Sequence, residues 1–402
     1  MTVYAARQPI LDASRATFGY ELLYRSSGTN ASHAPDRHSA SLALMNDGLM
    51  LHGLTELLGQ SALFINFDPR TLLNGYAQML PAAATIIEVS ADAPVDDDVL
   101  RAAQQLRDQG YRIACANVRS EHLGNPLLAV SDLVKVDVQA APRGEWSAIL
   151  QSCRLNKAIP VAEKVESNDA FQMTKSAGFR YFQGHFFAHP TLLQSADLPS
   201  SKSSQMMLLR EVNRADVDFG ALERALASDV GLAYKLLTLV NSATFGLRHH
   251  VESLRQAAVL LGEAGVRKWA SVIIFKQLST GGPSEQLTQS LIRAGFCDAF
   301  AITAGLGQRR SELYMMGLFS MLDAVLDRPM ERIVNQLPLA DDVCGALLGE
   351  QNEIRKLLEM VLAYEQANWS MVERTVAGYR AQEADLLGLY RRSVAQAQAL
   401  LN

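Results

Sequence analysis

From Tyr4 to about Pro190, short runs rich in β-branched and aromatic residues alternate with stretches of helical period. That alternation constrains the fold more than any other feature of the chain. Strands that take turns with helices form a sheet or barrel whose crossovers are helical. The β-type runs are Tyr4 to Leu11, Phe18 to Arg25, Leu63 to Phe67, Thr85 to Val89, Tyr111 to Ala116, Leu133 to Val138, Ile159 to Ala162 and Tyr181 to Phe182. Between them lie helical candidates at Ser39 to Leu51, Asp97 to Gln109, Trp146 to Asn156 and Asn168 to Ala177. Seven or eight strands in this order predict a closed α/β barrel. An open doubly wound sheet is the competitor, but no Gly-x-Gly-x-x-Gly follows the first strand to favour a dinucleotide crevice.

The pattern changes near residue 196. Pro199-Ser200-Ser201-Lys202-Ser203-Ser204 lacks apolar periodicity, and beyond it strand signals nearly vanish. The expected division is a barrel over residues 1–195, a linker over 196–204 and an all-α domain over 205–402. In the helical half, Leu254, Ala257, Ala258 and Leu261 share one face. Ser253 with Gln256 reads as a capping box opening that helix and Gly262 as its stop, while Gly281-Gly282-Pro283 interrupts the next run.

Hydrophobic residues at 49% and charged residues at 20% suit compact globular domains rather than a disordered chain. With a net charge of -5 and no run of five or more Lys/Arg, nucleic acid is not an expected partner. The opening residues lack the basic and apolar regions of a signal peptide, and no apolar stretch reaches the roughly 18 residues of a membrane span. The expectation is a soluble cytoplasmic protein. Cys115, Cys153, Cys297 and Cys344 are far apart, without metal-ligand spacing, and read as buried free thiols.

In an α/β barrel, functional side chains collect at the C-terminal ends of the strands and in the loops that follow. The polar residues there are Glu21, Asn66, Lys135, Asp137, Glu163, Glu166 and Gln183. Carboxylates converging on a barrel mouth are what a hard divalent cation requires. Strand ends also carry solvated charges, so position alone leaves both readings open.

Gln8-Pro9-Ile10 followed by Gly19-Tyr20-Glu21-Leu22-Leu23-Tyr24-Arg25 resembles the opening of the EAL family of cyclic-di-GMP phosphodiesterases, with Glu21-Leu22-Leu23 in place of Glu-Ala-Leu. Phe64-Ile65-Asn66-Phe67-Asp68-Pro69, Val134-Lys135-Val136-Asp137, Ala162-Glu163-Lys164-Val165-Glu166 and Gln183-Gly184-His185-Phe186-Phe187 are similar to further segments of that family, in family order. The resemblance implies an EAL-type, TIM-like α/β barrel over about residues 4–190. It implies relic catalytic positions at Glu21, Asn66, Lys135, Glu163, Glu166 and Gln183, and ligand contacts at Arg25 and Leu23.

It also implies losses. A family Glu falls on Ala91, and two metal-binding aspartates fall on Ala116 and Asn117. Two divalent ions held close together need carboxylates to offset their repulsion. The expectation is therefore a degenerate site, not an enzyme, with no cofactor beyond at most one vestigial Mg²⁺ or Mn²⁺ at Glu21, Asn66 and Glu163. Arg119 is expected to pair with Glu21, Glu88 or Glu163 in place of metal.

Ala227 to Gly246, with Asn241-Ser242-Ala243-Thr244-Phe245-Gly246, is similar to the signature of the HDOD family, with Val230 where that family has Pro. The resemblance spans about residues 200–400 and implies an output module without its ancestral His-Asp metal pairs. Asn241 and Ser242 carry the signature, as helix-terminating hydrogen bonders or as binding residues. His249 and His250 read as solvated turn residues, and Met315, Met316 and Met321 as core. The functional expectation is an inactive adaptor related to cyclic-di-GMP pathways of motility or biofilm control, acting on other signalling proteins. The alternatives are a residual phosphodiesterase and a receptor that binds cyclic-di-GMP without cutting it. A homodimer is a further expectation from the EAL resemblance.

Overall fold

The protein is seen here in a computed structural model, which describes residues 3–26, 61–188, 200–214, 253–279, 285–379 and 385–401 and isolated positions between 220 and 251. The helical candidate at Ser39 to Leu51, together with Ser242, His249, His250 and Gly281-Gly282-Pro283, lies outside the described residues. Two compact units are present, Met1–Phe187 with Tyr364–Trp369, and Ala188–Ala363 with Ser370–Asn402.

Eight strands close the first unit into a barrel in sequence order: β1 (Val3–Asp12), β2 (Thr17–Ser26), β3 (Ala62–Asn66), β4 (Thr85–Ser90), β5 (Arg112–Ala116), β6 (Leu133–Asp137), β7 (Ile159–Glu163) and β8 (Tyr181–Gln183). Each expected β run is present. One feature departs from a uniformly parallel barrel, because β1 runs antiparallel to both β2 and β8. The cause is the short connection between Asp12 and Thr17. A parallel pair needs a crossover of a dozen or more residues, whereas a tight turn reverses the chain. Asp12 builds that turn, its Oδ1 accepting from the Ser14 and Ala16 amides at 2.7 and 2.9 Å.

Helices α1 (Pro69–Leu73), α2 (Asp97–Asp108), α3 (Arg143–Leu155) and α4 (Asn168–Ala177) follow strands of the barrel. Asp96 caps α2 by accepting from the amides of Asp98 and Val99, and Ser167 caps α4 through the Ala170 amide. Helix α3 begins three residues before the expected Trp146, because its first turn, Arg143-Gly144-Glu145, is polar and carries no apolar period.

The interior is layered. Ile10, Phe64, Ile86, Ala114, Leu133 and Val161 form a fully buried apolar layer. Side chains on a strand return to the same face every second residue. The next layer toward the strand C-termini therefore takes Asn66, Glu88, Ala116, Lys135 and Glu163, each two residues beyond a member of the apolar layer.

In the second unit the expected linker is corrected, since Ser200 to Ser204 form the first turns of α5 (Ser200–Asn213). Their small polar side chains hid the helix start, while Met206, Leu209 and Val212 behind them are buried at helical spacing. Helix α6 (Leu254–Leu278) opens on Ser253, whose Oγ accepts from the Gln256 amide at 3.2 Å. Gly262 is a kink rather than a stop, with φ 70° and ψ 166°, after which the helix resumes. The central helix α7 (Glu285–Thr303) is buried on most of its circumference and packs against α8 (Arg310–Phe319). At Gly317 of α8, an added Cβ would stand 2.7 Å from the Ala294 backbone, so this helix crossing requires glycine. Met315, Met316 and Met321 are buried, as expected of core. Further helices are α9 (Leu322–Leu326), α10 (Met330–Val334), α11 (Asp341–Leu348), α12 (Glu353–Glu365), α13 (Trp369–Gly378) and α14 (Leu386–Leu401). The four cysteines form no disulfide; Cys115, Cys153 and Cys297 are buried and Cys344 is half-buried. Among the described residues no helix is long and apolar enough to cross a membrane.

Replacing Gly317 by Ala should destabilise the helical unit by roughly 1–3 kcal/mol, the usual cost of forcing atoms into a filled core. Chemical denaturation of the full chain checks this, with unchanged stability counting against the close crossing.

Candidate active site at the barrel mouth

Lys135 lies in the middle of β6 with its side chain fully buried, and its ammonium meets three carboxylates. Nζ is 2.9 Å from Glu21 Oε2, 2.6 Å from Glu88 Oε2 and 2.8 Å from Glu163 Oε1. Strand register brings them together. Asn66 is paired with Glu88 across β3 and β4, and Lys135 with Val161 two residues before Glu163 across β6 and β7.

Amides orient Glu21 from two sides. Asn66 Nδ2 donates to its Oε1 at 2.7 Å, and Gln183 Nε2 donates to its Oε2 at 2.7 Å. Gln183 Nε2 also donates to Gln8 Oε1 at 2.7 Å, which fixes the amide and leaves Gln183 Oε1 buried with no hydrogen-bond partner. Gly184 follows with φ 149°, and a Cβ there would lie 2.1 Å from the Val165 carbonyl. Only glycine lets the chain leave β8 so close to that backbone.

Three acids share one buried ammonium, so their charges are not balanced. Burial alone would raise Glu21, but the Lys135 charge and the bonds from Gln183, Lys135 and Asn66 hold it below the ordinary carboxylate value. Burial and the neighbouring Glu21 charge push Glu88 up to about 8, against the pull of Lys135. Burial works against the Lys135 charge, yet Glu163, Glu21 and Glu88 together hold its pKa well above that of a free lysine.

Of the positions anticipated from sequence, Glu21, Asn66, Lys135, Glu163 and Gln183 converge. Glu88 joins them and was absent from the expected ion ligands. Its signal was its place at a strand end in register with Asn66. Glu166 lies apart, 44% exposed, with its carboxylate 3.3 Å from His185 Nδ1. Asp137 also turns away, accepting from Lys164 Nζ at 2.5 Å and from the Gln139 and Ala140 amides. Leu23 is half-buried on β2. Arg25 pairs with Tyr4 through the β1–β2 ladder, and its side chain lies outside the described residues.

Arg119 does not enter the mouth, correcting the expected pairing. Asn117 adopts a left-handed backbone with φ 57°, and Arg119 is carried outward to Asp92 at 3.0 Å and Glu121 at 2.8 Å. The cation among the carboxylates is Lys135 instead. Ala91 donates its amide to the Ala116 carbonyl at 2.7 Å, and Asn117 Nδ2 donates to Ser90 Oγ at 3.1 Å, so these positions knit two strand ends.

Glu21, Glu88 and Glu163 each offer an oxygen, and these ligand atoms lie within 4.8 Å of one another. That spacing fits hard oxygen ligands placed roughly 2.0–2.6 Å from a single divalent ion. The surplus negative charge and the unpartnered Gln183 oxygen agree with such a fit.

In the second unit, Asn241 acts as a structural pin. Its Nδ2 donates to the Leu237 and Val251 carbonyls at 2.9 and 2.8 Å, and its Oδ1 accepts the Val251 amide at 2.7 Å.

An eight-stranded barrel with an acidic mouth, followed by a helical unit, is the architecture that the EAL and HDOD resemblances implied. The HDOD domain family model matches residues 198–326. Cyclic di-GMP phosphodiesterase CdgJ of Vibrio cholerae is 33% identical over 376 residues, covering 93% of this chain and 87% of that protein. YuxH of Bacillus subtilis, an uncharacterized protein, is 32% identical over 377 residues, covering 92% of each. The chain belongs to the family of these proteins. Among solved structures, the Klebsiella pneumoniae BlrP1 manganese/cyclic-di-GMP complex is 23% identical with a TM-score of 0.38, covering 46% of this chain and 55% of that one. A standalone EAL protein from Vibrio cholerae in its cyclic-di-GMP-bound form is 23% identical with a TM-score of 0.36, covering 46% of this chain and 90% of that one.

The relationship to CdgJ overturns the expectation, drawn from Ala91, Ala116 and Asn117, that the chain is not an enzyme. Those positions left out Glu88, which completes a three-carboxylate cluster independent of them.

Replacing Lys135 by Met leaves buried carboxylates without their cation and should cost roughly 3–5 kcal/mol. Urea denaturation in metal-free buffer measures it. The Glu88 shift gives a pH dependence. An acid raised on folding stabilises the fold below its unfolded value of 4.5 and loses that contribution as pH climbs through about 8. In metal-free buffer Tm should therefore fall across that window, and Glu88→Gln should flatten the slope.

Proposed function

We propose that the barrel mouth is a cyclic-di-GMP phosphodiesterase site working with one divalent ion. Its ligands are Glu21, Glu88 and Glu163, with Asn66 beside them. The observation that carries this reading is the cluster of three carboxylates around one buried ammonium. When bound, Mg²⁺ or Mn²⁺ there supplies a Lewis acid for a phosphoryl oxygen.

The protein's own groups prepare that position. Lys135 holds the carboxylates together and leaves a positive charge facing them. Asn66 and Gln183 fix the Glu21 carboxylate from both sides. Arg25 and Leu23 are assigned to the nucleotide, Arg25 to its phosphate, by the EAL resemblance. Glu166 stands outside the ion set beside His185. The helical residues beyond 205, with the Asn241-Ser242 signature, form the output half and act by contact with other signalling proteins. The HDOD match supports that division of labour.

The test is conversion of cyclic-di-GMP to linear pGpG by the full chain with Mg²⁺ or Mn²⁺. Glu21→Gln and Glu163→Gln should each lower the rate by on the order of 100-fold or more, since an ion contributes several kcal/mol of charge stabilisation. Absence of product from the unmodified chain with either ion overturns the proposal.

A further inference from the structure

We propose that the helical unit carries a second ligand site, a pocket for a small amphipathic monoanion whose carboxylate meets Lys268 and whose apolar body lies toward Leu339 and Val343. The cavity, about 530 Å³, lies between α6, α8 and the segment entering α11. Small-molecule sites ordinarily occupy roughly 300–1,000 Å³ and combine apolar walls with a few convergent polar groups. This one has walls of Ala264, Met315, Pro338, Leu339, Ala340 and Val343, with Arg267 and Lys268 on one side.

The chemistry rests on Lys268. Its side chain is only 18% exposed, yet its carboxylate neighbour, Asp298 Oδ1, is 3.8 Å away, at the outer limit of an ion pair. That carboxylate is shared, because Asp298 Oδ2 accepts from Arg310 Nη2 at 2.7 Å. The other acid of the lining, Glu312, is held by Arg309 at 2.6 Å. The Lys268 ammonium otherwise faces aromatic rings, 3.6 Å from the Tyr314 centroid and 5.7 Å from that of Trp269. A sheltered cation with a loose counter-ion is costly, and an anion placed in the adjoining cavity relieves that cost.

The neighbouring Arg267 is spent differently, its Nη1 donating to the Val212 carbonyl at 3.1 Å and to that of Arg214. One loosely matched cation in a mainly apolar pocket favours a single negative charge over a phosphate dianion, which draws on several strong donors. Burial holds the Lys268 amine below the ordinary lysine pKa, Asp298 only partly opposing it, so the ammonium form stands to gain from an added anion.

Isothermal titration of the full chain with decanoate, below its micelle concentration, tests this, with decanol as the uncharged control. The expected result is saturable one-to-one binding, at least tenfold weaker for decanol and for Lys268→Met. Ala264→Trp, which fills the pocket from an exposed helix position, should abolish binding while far-UV circular dichroism stays unchanged. No saturable heat with decanoate overturns the proposal, as does equal binding by decanol or by both variants. The barrel is not involved, so failure here leaves the phosphodiesterase reading untouched, and the reverse holds.

Discussion

The barrel mouth depends on one interaction, the burial of the Lys135 ammonium among the carboxylates of Glu21, Glu88 and Glu163. No single strand could hold that arrangement. Each carboxylate comes from a different strand, and each would be expelled toward water without the shared cation. Asn66 and Gln183 then fix Glu21, and through it the geometry of the group. One ammonium does not balance three acids, a surplus that pushes Glu88 up to about 8 and leaves a place for further cationic charge. This surplus connects the packing of the barrel to the chemistry proposed for it.

The helical unit is built on a different constraint, close backbone approach. Gly317 lets α8 lie against Ala294 of α7, and the buried central helix organises its neighbours. Asn241 makes two hydrogen bonds to Val251 and one back to Leu237 in its own helical turn, so this signature residue has a structural task whatever else it does. Lys268 is an exception to this economy of satisfied groups, sheltered but loosely paired.

Much of the fold was legible in the residues. All eight strands followed from β-type runs and their spacing, and α4 occupies the expected range from Asn168 to Ala177, closed by a Ser167 cap and Gly178. The reversed direction of β1 was implicit in the short gap between the first two runs, but periodicity carries no strand direction. The start of α5 was hidden because serines and a lysine carry no apolar period even when they form the first turns of a helix. At the site, Glu21, Asn66, Lys135, Glu163 and Gln183 were found from strand ends and family-like motifs. Glu88 is not legible as a ligand in the residues, because only the β3–β4 register and its contact with Lys135 bring it to the group. Arg119 was misplaced because a left-handed residue at Asn117 redirects the chain, a choice that spacing does not reveal.

The sequence by itself determined the two-part architecture, the strand and helix inventory and the alternation that sends polar residues to one layer of the barrel, because these depend on local periodicity. Only the tertiary structure decided which cation neutralises the carboxylates, which acids share it and which turn away. Those outcomes depend on barrel stagger and burial, where distances of a few ångströms between residues far apart in the chain set the electrostatic result.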